Sequence, residues 1–292
     1  MSDTLRDHLY RIRHHILLDP VNKGRRLRYL WNYLRWQAKG KYGKENWIIS
    51  FENGLRSYVH PFPDHDAGEM NIWTRNVDFH DTAIVRRILR KGDRIVDAGC
   101  NVGNRTWALA DMLGGALMID AGAAAMARVQ ENRALNGLSP TDFITVHKAV
   151  GEQPGVVRFT DEGGAYTRNK VVEAGEEKTA VRIVEVEMTT IDAEVERLGW
   201  QPTYLKIDVE GQDLPALKGA LRTLRSGNVR LVKFEHNATE PLPPLLAFLH
   251  ELGWKVFTVH KGRVSDAQQH LEREMNLLAS PAEIFAAFTT GA

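Results

Sequence analysis

Cysteine is almost missing: Cys100 is the only one in 292 residues. No intrachain disulfide is available, and a reducing compartment is the expected setting. Long apolar runs are missing too, with no stretch of the ~18 residues needed to cross a bilayer. The opening "MSDTLRDHLYRIRHH" lacks the extended apolar core of a secretory signal, so a cytoplasmic location is expected. Net charge is only +1, too little for bulk attraction to nucleic acid, and nucleic acid is not expected as a partner. No internal repeat or low-complexity tract interrupts the chain. With 43% hydrophobic and 26% charged residues, the composition suits one large soluble domain plus an extra segment.

The charge is unevenly distributed. Residues 1–44 hold 11 Lys/Arg against 3 Asp/Glu, leaving 27 against 34 in the remainder, so a basic arm precedes a mildly acidic body. Within residues 1–45, "LRDHLYRIRHHILLDP" and "RRLRYLWNYLRWQAKG" read as helical. Leu27, Leu30, Trp31 and Leu34 recur at helical spacing, and Arg25, Arg28, Asn32 and Arg35 share the other face. The first reading is an arm docked on the main domain. Basic residues beside Trp and Tyr also suit peripheral contact of residues 1–44 with an anionic membrane, at its inner face, or with another anionic partner.

Residues 46–80 form a hairpin and connector: "WIISFENGLRSYVHPF" places an Asn-Gly turn between two apolar runs. Residues 81–292 form the main domain. There "TAIVRRILRKG" reads as a short helix. Strands "DRIVDAGC", "GALMID" and "DFITVHKAV" then alternate with helices "NRTWALADMLGG" and "AAAMARVQENRALNG". "VVRFT" and "VRIVEVEM" read as more exposed strands, joined by a polar glycine-rich segment, residues 161–178, suited to closing over a substrate. Further on, strands "TYLKIDVEG", "VRLVKFEHN" and "WKVFTVHKG" alternate with helices "QDLPALKGALRTLRSG" and "PLPPLLAFLHELG", with Leu214, Leu217, Leu221 and Leu224 along one stripe. "MNLLAS" is a candidate last strand. The rhythm predicts an α/β fold, a Rossmann-like parallel sheet with helices on both faces, plus the N-terminal helical arm and hairpin.

The most informative stretch is "IVDAGCNVGN". A strand runs into Asp97, Gly99, Cys100, Asn101 and Gly103, then a helix opens. Such a turn lies at the carboxyl end of the sheet, where α/β proteins bind ligands, and glycine allows positive φ and close approach. Asp97 has the wrong charge for a phosphate and suits an ammonium group. Asp120 ends the next strand, where a carboxylate accepts hydrogen bonds from ribose hydroxyls. A dinucleotide turn needs a glycine where Asn101 stands. The pattern therefore favours S-adenosylmethionine over a dinucleotide, with a purely structural turn as the remaining reading. Cys100 has no basic neighbour in sequence and reads as a small packed residue of the turn.

The order "DAGCNVGN", "MID", "ENRALN", "TTID", "KIDVEGQD", "KFEHN" resembles the FkbM family of S-adenosylmethionine-dependent methyltransferases over roughly residues 80–260. "KIDVEG" is the most specific element. Cys100 stands for the usual alanine, Asp120 and Ala121 for Glu and Pro, and Asp213 for Glu, all changes that keep the physical character. The resemblance implies a class I methyltransferase sheet and O-methylation of a sugar hydroxyl on a glycan, glycolipid or glycosylated natural product. Ala149, at the end of the third strand, is the expected adenine contact.

A hydroxyl acceptor must lose its proton, so a base or a Lewis-acidic cation is needed. Lys206, Asp208 and Glu210 alternate by two and point the same way on an extended strand. Like charge at Asp208 and Glu210 raises one pKa toward base strength, or the pair ligates a hard cation such as magnesium. The plainer alternative pairs Lys206 with Asp208 and uses Glu210 as a helix cap. His236, beside Glu235 at the next strand end, is a second candidate base. A non-catalytic adenosine-ligand module that docks a partner or membrane through its basic arm is the competing class. The retained acids favour the enzyme.

Overall fold

A computed structural model describes residues 5–62, 67–74, 79–161, 165, 169–172, 182–235, 242–260, 263–266 and 276–290. The N-terminal part is helical: α1 (Leu5–Arg11) runs on through a π-helical turn to Leu17, and α2 (Arg26–Arg35) continues likewise to Gly40. The stripe read from the spacing is not the docked face. Tyr29, Tyr33 and Trp36 are buried against Ile16, Val59, Ile72 and Trp73, whereas Leu27, Trp31 and Leu34 are 80%, 62% and 47% exposed. The aromatic side has more area to bury, and its polar tips find partners. The Tyr33 hydroxyl lies 2.5 Å from His8 Nδ1, and Trp36 Nε1 donates to Glu69 at 2.8 Å.

Strands β1 (Trp47–Ser50) and β2 (Arg56–Val59) form the antiparallel hairpin, with Gly54 at φ +85° in its turn. Two asparagines of "ENRALN" fasten it to the main domain. Asn132 accepts from Tyr58 N at 2.8 Å and donates to Val102 O at 3.2 Å. Asn136 accepts from Arg56 N and donates to Arg56 O. Asn132 is fully buried, so Asn132→Ala leaves the Tyr58 N–H without its acceptor, while Val102 O keeps its bond from Trp107 Nε1 at 2.8 Å. Urea unfolding should show a loss of about 1–3 kcal/mol. A loss below about 0.5 kcal/mol would mean the link carries no strain or solvent penalty.

The main domain follows in chain order: α3 (Phe79–Ile88), β3 (Asp93–Ala98), α4 (Asn104–Leu109), β4 (Leu113–Asp120), α5 (Ala123–Leu135), β5 (Phe143–His147), β6 (Ala149–Val150), β7 (Gly155–Asp161), β8 (Arg182–Thr189), α6 (Ile191–Leu198), β9 (Tyr204–Ile207), α7 (Asp213–Lys218), α8 (Leu221–Arg225), β10 (Leu231–Glu235), α9 (Leu242–Glu251), β11 (Trp254–His260), β12 (Arg263–Asp266), β13 (Asn276–Pro281) and α10 (Ala282–Thr290). The eight-stranded sheet has the order β12-β11-β13-β10-β9-β3-β4-β5. Alternate residues supply two cores. Val96, Leu117, Leu205 and Val232 pack with α6 to α9, and Ile95, Met118, Tyr204 and Leu231 pack with α3 to α5.

Some expectations are corrected. The sheet is mixed, because β13 runs antiparallel to both β10 and β11. Strand direction is not written in a strand's own residues, and an antiparallel neighbour needs no helical crossover. β7 and β8 belong to a separate three-stranded sheet with β6. The single helix read in "QDLPALKGALRTLRSG" breaks near Gly219. Asp192 then caps the second piece by accepting from Arg222 N and Thr223 N at 2.9 and 2.8 Å. The leucine stripe breaks with it: Leu217 and Leu224 are buried, Leu214 and Leu221 only partly.

Candidate active site

From β3 the chain winds outward through β4 and β5, then returns on the other side as β9 and β10. The reversal leaves a crevice between the carboxyl ends of β3 and β9, the place where open α/β sheets bind ligands. "DAGCNVG" and "KIDVEG" follow these two strands and meet there. Their approach is close. A Cβ built on Gly99, at φ +69°, would lie 1.8 Å from the Asp208 carbonyl oxygen. Gly99 is required by the neighbouring backbone, whereas its spacing alone suggests room for a ligand. Gly103, at φ +83°, is held against Trp107 and Met118 in the same way.

The buried charges brace this junction. Asp97 is fully buried, accepts from Thr106 Oγ1 at 2.7 Å, and lies 3.5 Å from Lys206 Nζ. The same ammonium donates to Gly99 O and sits 3.1 Å from Asp208 Oδ2. Burial opposes the charge on Lys206, but Asp208 and Asp97 outweigh it and hold its pKa above the ordinary lysine value. Two expectations change here. Asp97 answers an internal lysine and does not present its carboxylate to the cleft. Lys206 stays protonated and positions the turn, so it takes up no proton. Cys100 is also turned inward, 5% exposed in the core, and burial raises its thiol pKa.

Gly99 and Asn101 of the turn do line a cleft, and Asp120, Ala149, Asp208 and Glu210 complete its wall. Asp120 accepts from Asn101 N and Gly122 N, both at 2.8 Å, which fixes its carboxylate at the end of β4. Burial raises its pKa, against those two N–H groups. Asn101 adopts φ +48°, and its side chain reaches Ala165 O at 3.2 Å. From the 161–178 segment, Ala165, Asn169 and Val171 form part of the same wall, and the segment's other inner residues lie outside the described set, save Lys170 and Val172. The cavity measures about 90 Å³. Small-molecule sites usually need ~300–1,000 Å³, so an occupant must widen it.

Three carboxylates gather at the mouth. Asp208, Glu210 and Glu235 each offer an oxygen within 4.8 Å of the others. Alternation along a strand does not create this cluster, because β9 ends at Ile207 and Glu210 lies beyond it at φ +51°. Nor does Glu210 cap a helix: α7 begins at Asp213. Burial by itself would raise Asp208, but Lys206, a hydrogen bond with Glu235 and nearby Lys233 hold it below the usual range. Burial and the Asp208 charge lift Glu210 to about 7. Burial, the Asp208 hydrogen bond and both neighbouring carboxylates lift Glu235 to about 8. Asp208 is therefore the fixed anion, with two carboxyls beside it that titrate near neutrality. Asp213, buried beneath, accepts from Glu235 N at 3.2 Å and sets that strand end. His236 lies outside the described residues. In the sequence Glu235 stands beside His236, and its place at the end of a strand is the signal that marks it; the pairing of that strand with β9 brings it to Asp208.

A doubly wound sheet with an acid-lined cleft at its switch point defines a Rossmann-like α/β fold. Residues 99–256, more than half of the chain, match the methyltransferase FkbM domain. The chain belongs to that family, whose class of reaction is methyl transfer. Among solved structures, it is similar to methyltransferase FkbM from Methylobacillus flagellatus, with 14% identity, a TM-score of 0.43, and coverage of 68% of this chain and 50% of that one. The chain thus spans half the length of that relative. It is also similar to an rRNA methylase from Streptococcus thermophilus, with 10% identity, a TM-score of 0.39, and coverage of 68% and 90%. A tRNA (uracil-54, C5)-methyltransferase from Pyrococcus abyssi, in complex with S-adenosylhomocysteine, gives 11% identity, a TM-score of 0.41, and coverage of 82% and 44%. No curated protein matches the chain.

Proposed function

We propose that this chain is an S-adenosylmethionine-dependent O-methyltransferase acting on a sugar hydroxyl of a glycan, glycolipid or glycosylated small molecule. The observation that carries this reading is Glu210. It stands on the cleft wall beside the fixed anion Asp208, with a pKa near 7. A base for hydroxyl chemistry works best when its pKa lies near the operating pH. When bound, S-adenosylmethionine supplies an already activated methyl group. The chain's own work is to seat the adenosine, align the acceptor and remove its proton. Asp120 receives the ribose hydroxyls, with Ala149 beside the adenine. Glu210 takes the hydroxyl proton as the oxygen–methyl bond forms and the sulfur–methyl bond breaks. Lys206 keeps Asp208 charged, and Glu235 donates a hydrogen bond to it.

The three carboxylates also fit a hard divalent cation such as magnesium, since they form an all-oxygen donor set within binding reach of one another. Asp208, Glu210 and Glu235 would hold it, and it would supply Lewis acidity toward the acceptor hydroxyl.

Calorimetric titration with S-adenosylhomocysteine tests the cofactor part. Saturable one-site binding is expected, weakened about 10- to 100-fold in Asp120→Ala, the value of one or two hydrogen bonds to a charged group. A folded protein that binds none would sink the reading. Methyl transfer to a panel of glycans tests the acceptor. A product methylated on nitrogen or carbon would overturn the O-methyl assignment.

A further inference from the structure

Among the described residues, every exposed large apolar side chain except Val156 lies between Leu5 and Met70. The most ordered group is on α2, where Leu27, Trp31 and Leu34 form one stripe at i, i+4 and i+7, opposite the buried Tyr29 and Tyr33. Helix α1 repeats the motif with exposed Leu5 and Leu9. Arg26 and Arg28 stand exposed beside the α2 stripe. This surface belongs to the segment with 11 Lys/Arg against 3 Asp/Glu, while the rest of the chain carries 27 against 34.

We propose that the outer face of α2 docks on a bilayer surface that carries anionic lipid. A soluble protein rarely leaves so much apolar surface together without a partner. An interfacial helix needs these features in combination: an apolar stripe deep enough to enter the acyl boundary, a Trp at headgroup level, and flanking arginines. Charge decides between occupants. A second copy would set one strongly basic face against another, whereas anionic headgroups attract it, and the acidic body turns away from the membrane. The arrangement holds the enzyme at the surface through contacts separate from the cleft, so it is independent of the acceptor's identity.

Vesicle flotation of the full chain tests this. The probes are phosphatidylcholine vesicles with and without phosphatidylglycerol. Binding is expected only with phosphatidylglycerol, and is lost on raising salt from about 0.1 M to about 1 M, where the screening length falls to ~3 Å. Joint replacement Leu27→Ser, Trp31→Ser and Leu34→Ser should abolish it. The pair Arg26→Glu and Arg28→Glu, which leaves the stripe intact, should weaken it at least about tenfold. Both variants should bind S-adenosylhomocysteine as the parent does, which shows that they are folded. Absence of binding by the parent, or equal binding to neutral vesicles, overturns the proposal. So does a stripe variant that floats normally but turns a dimer into a monomer by light scattering, since the stripe would then be a contact between copies.

Discussion

Glu210→Gln lowers kcat by about 10²- to 10⁴-fold while S-adenosylhomocysteine still binds, because the amide keeps the shape of the cleft wall but accepts no proton. In the parent, activity rises with pH through about 7, the value to which burial and Asp208 lift Glu210. Asp208→Asn separates the causes. Removing the fixed negative charge lets Glu210 ionise more readily, so whatever activity survives has its midpoint at lower pH. A merely structural Asp208 would lower the rate and leave the midpoint in place. If Glu210→Gln retains the parent rate, the base lies elsewhere, with Glu235 next to be tested. The raised pKa values also act on the fold. Below the ordinary glutamate range both states hold the proton. As pH rises from about 4.5 toward 7, the unfolded chain releases it first, so this contribution to stability is lost. The same sign holds for Glu235 up to about 8.

Gly99→Ala should be the most damaging single change to the fold around the site. The added methyl would meet the Asp208 carbonyl oxygen at 1.8 Å and its carbon at 2.7 Å, and both are backbone atoms that no rotamer moves. The residue also sits at φ +69°, a conformation alanine adopts at a cost. Overpacking and strain together amount to about 3–5 kcal/mol, enough to lower Tm by roughly 10 °C. S-adenosylhomocysteine binding should disappear with the displaced turn. Gly137→Ala is the control. Its φ is +61° with nothing within 4 Å, so only the backbone term remains, about 1–2 kcal/mol. Equal losses for the two variants would mean that the β3 turn gives way easily and that the close approach to Asp208 is not a constraint.

Much of the site was legible because its signals are local. "IVDAG" and "YLKID" are runs of apolar residues ending in an acid, and such runs become buried strands whose ends face the ligand crevice whatever surrounds them. Asp120 is legible for the same reason, whereas Ala149, expected at the end of the third strand, opens β6 in the separate sheet. The direction and exposure of individual side chains were less so. Asp97 reads as a free carboxylate until β9 is known to lie beside β3 and bring Lys206 to it. Glu210 reads as the third residue of an alternating strand until the strand is seen to stop at Ile207. Glu235 joins the cluster only because β10 pairs with β9.

The arm shows the same limit from the other side. Helical spacing on α2 points to one apolar stripe, Leu27, Leu30, Trp31 and Leu34, with Arg25, Arg28, Asn32 and Arg35 opposite. The tertiary structure chose the aromatics, because Val59, Ile72 and Trp73 supply a surface that Tyr29, Tyr33 and Trp36 fill, with partners for their polar tips. Sequence by itself determined the βα rhythm, the acid-tipped strands and the uneven charge, since each depends on residues within a few positions of one another. Only the tertiary structure decided which charges neutralise each other, which carboxylates share a proton and which apolar stripe is left facing outward. Those outcomes depend on distances between segments far apart in the chain, and burial sets their energies.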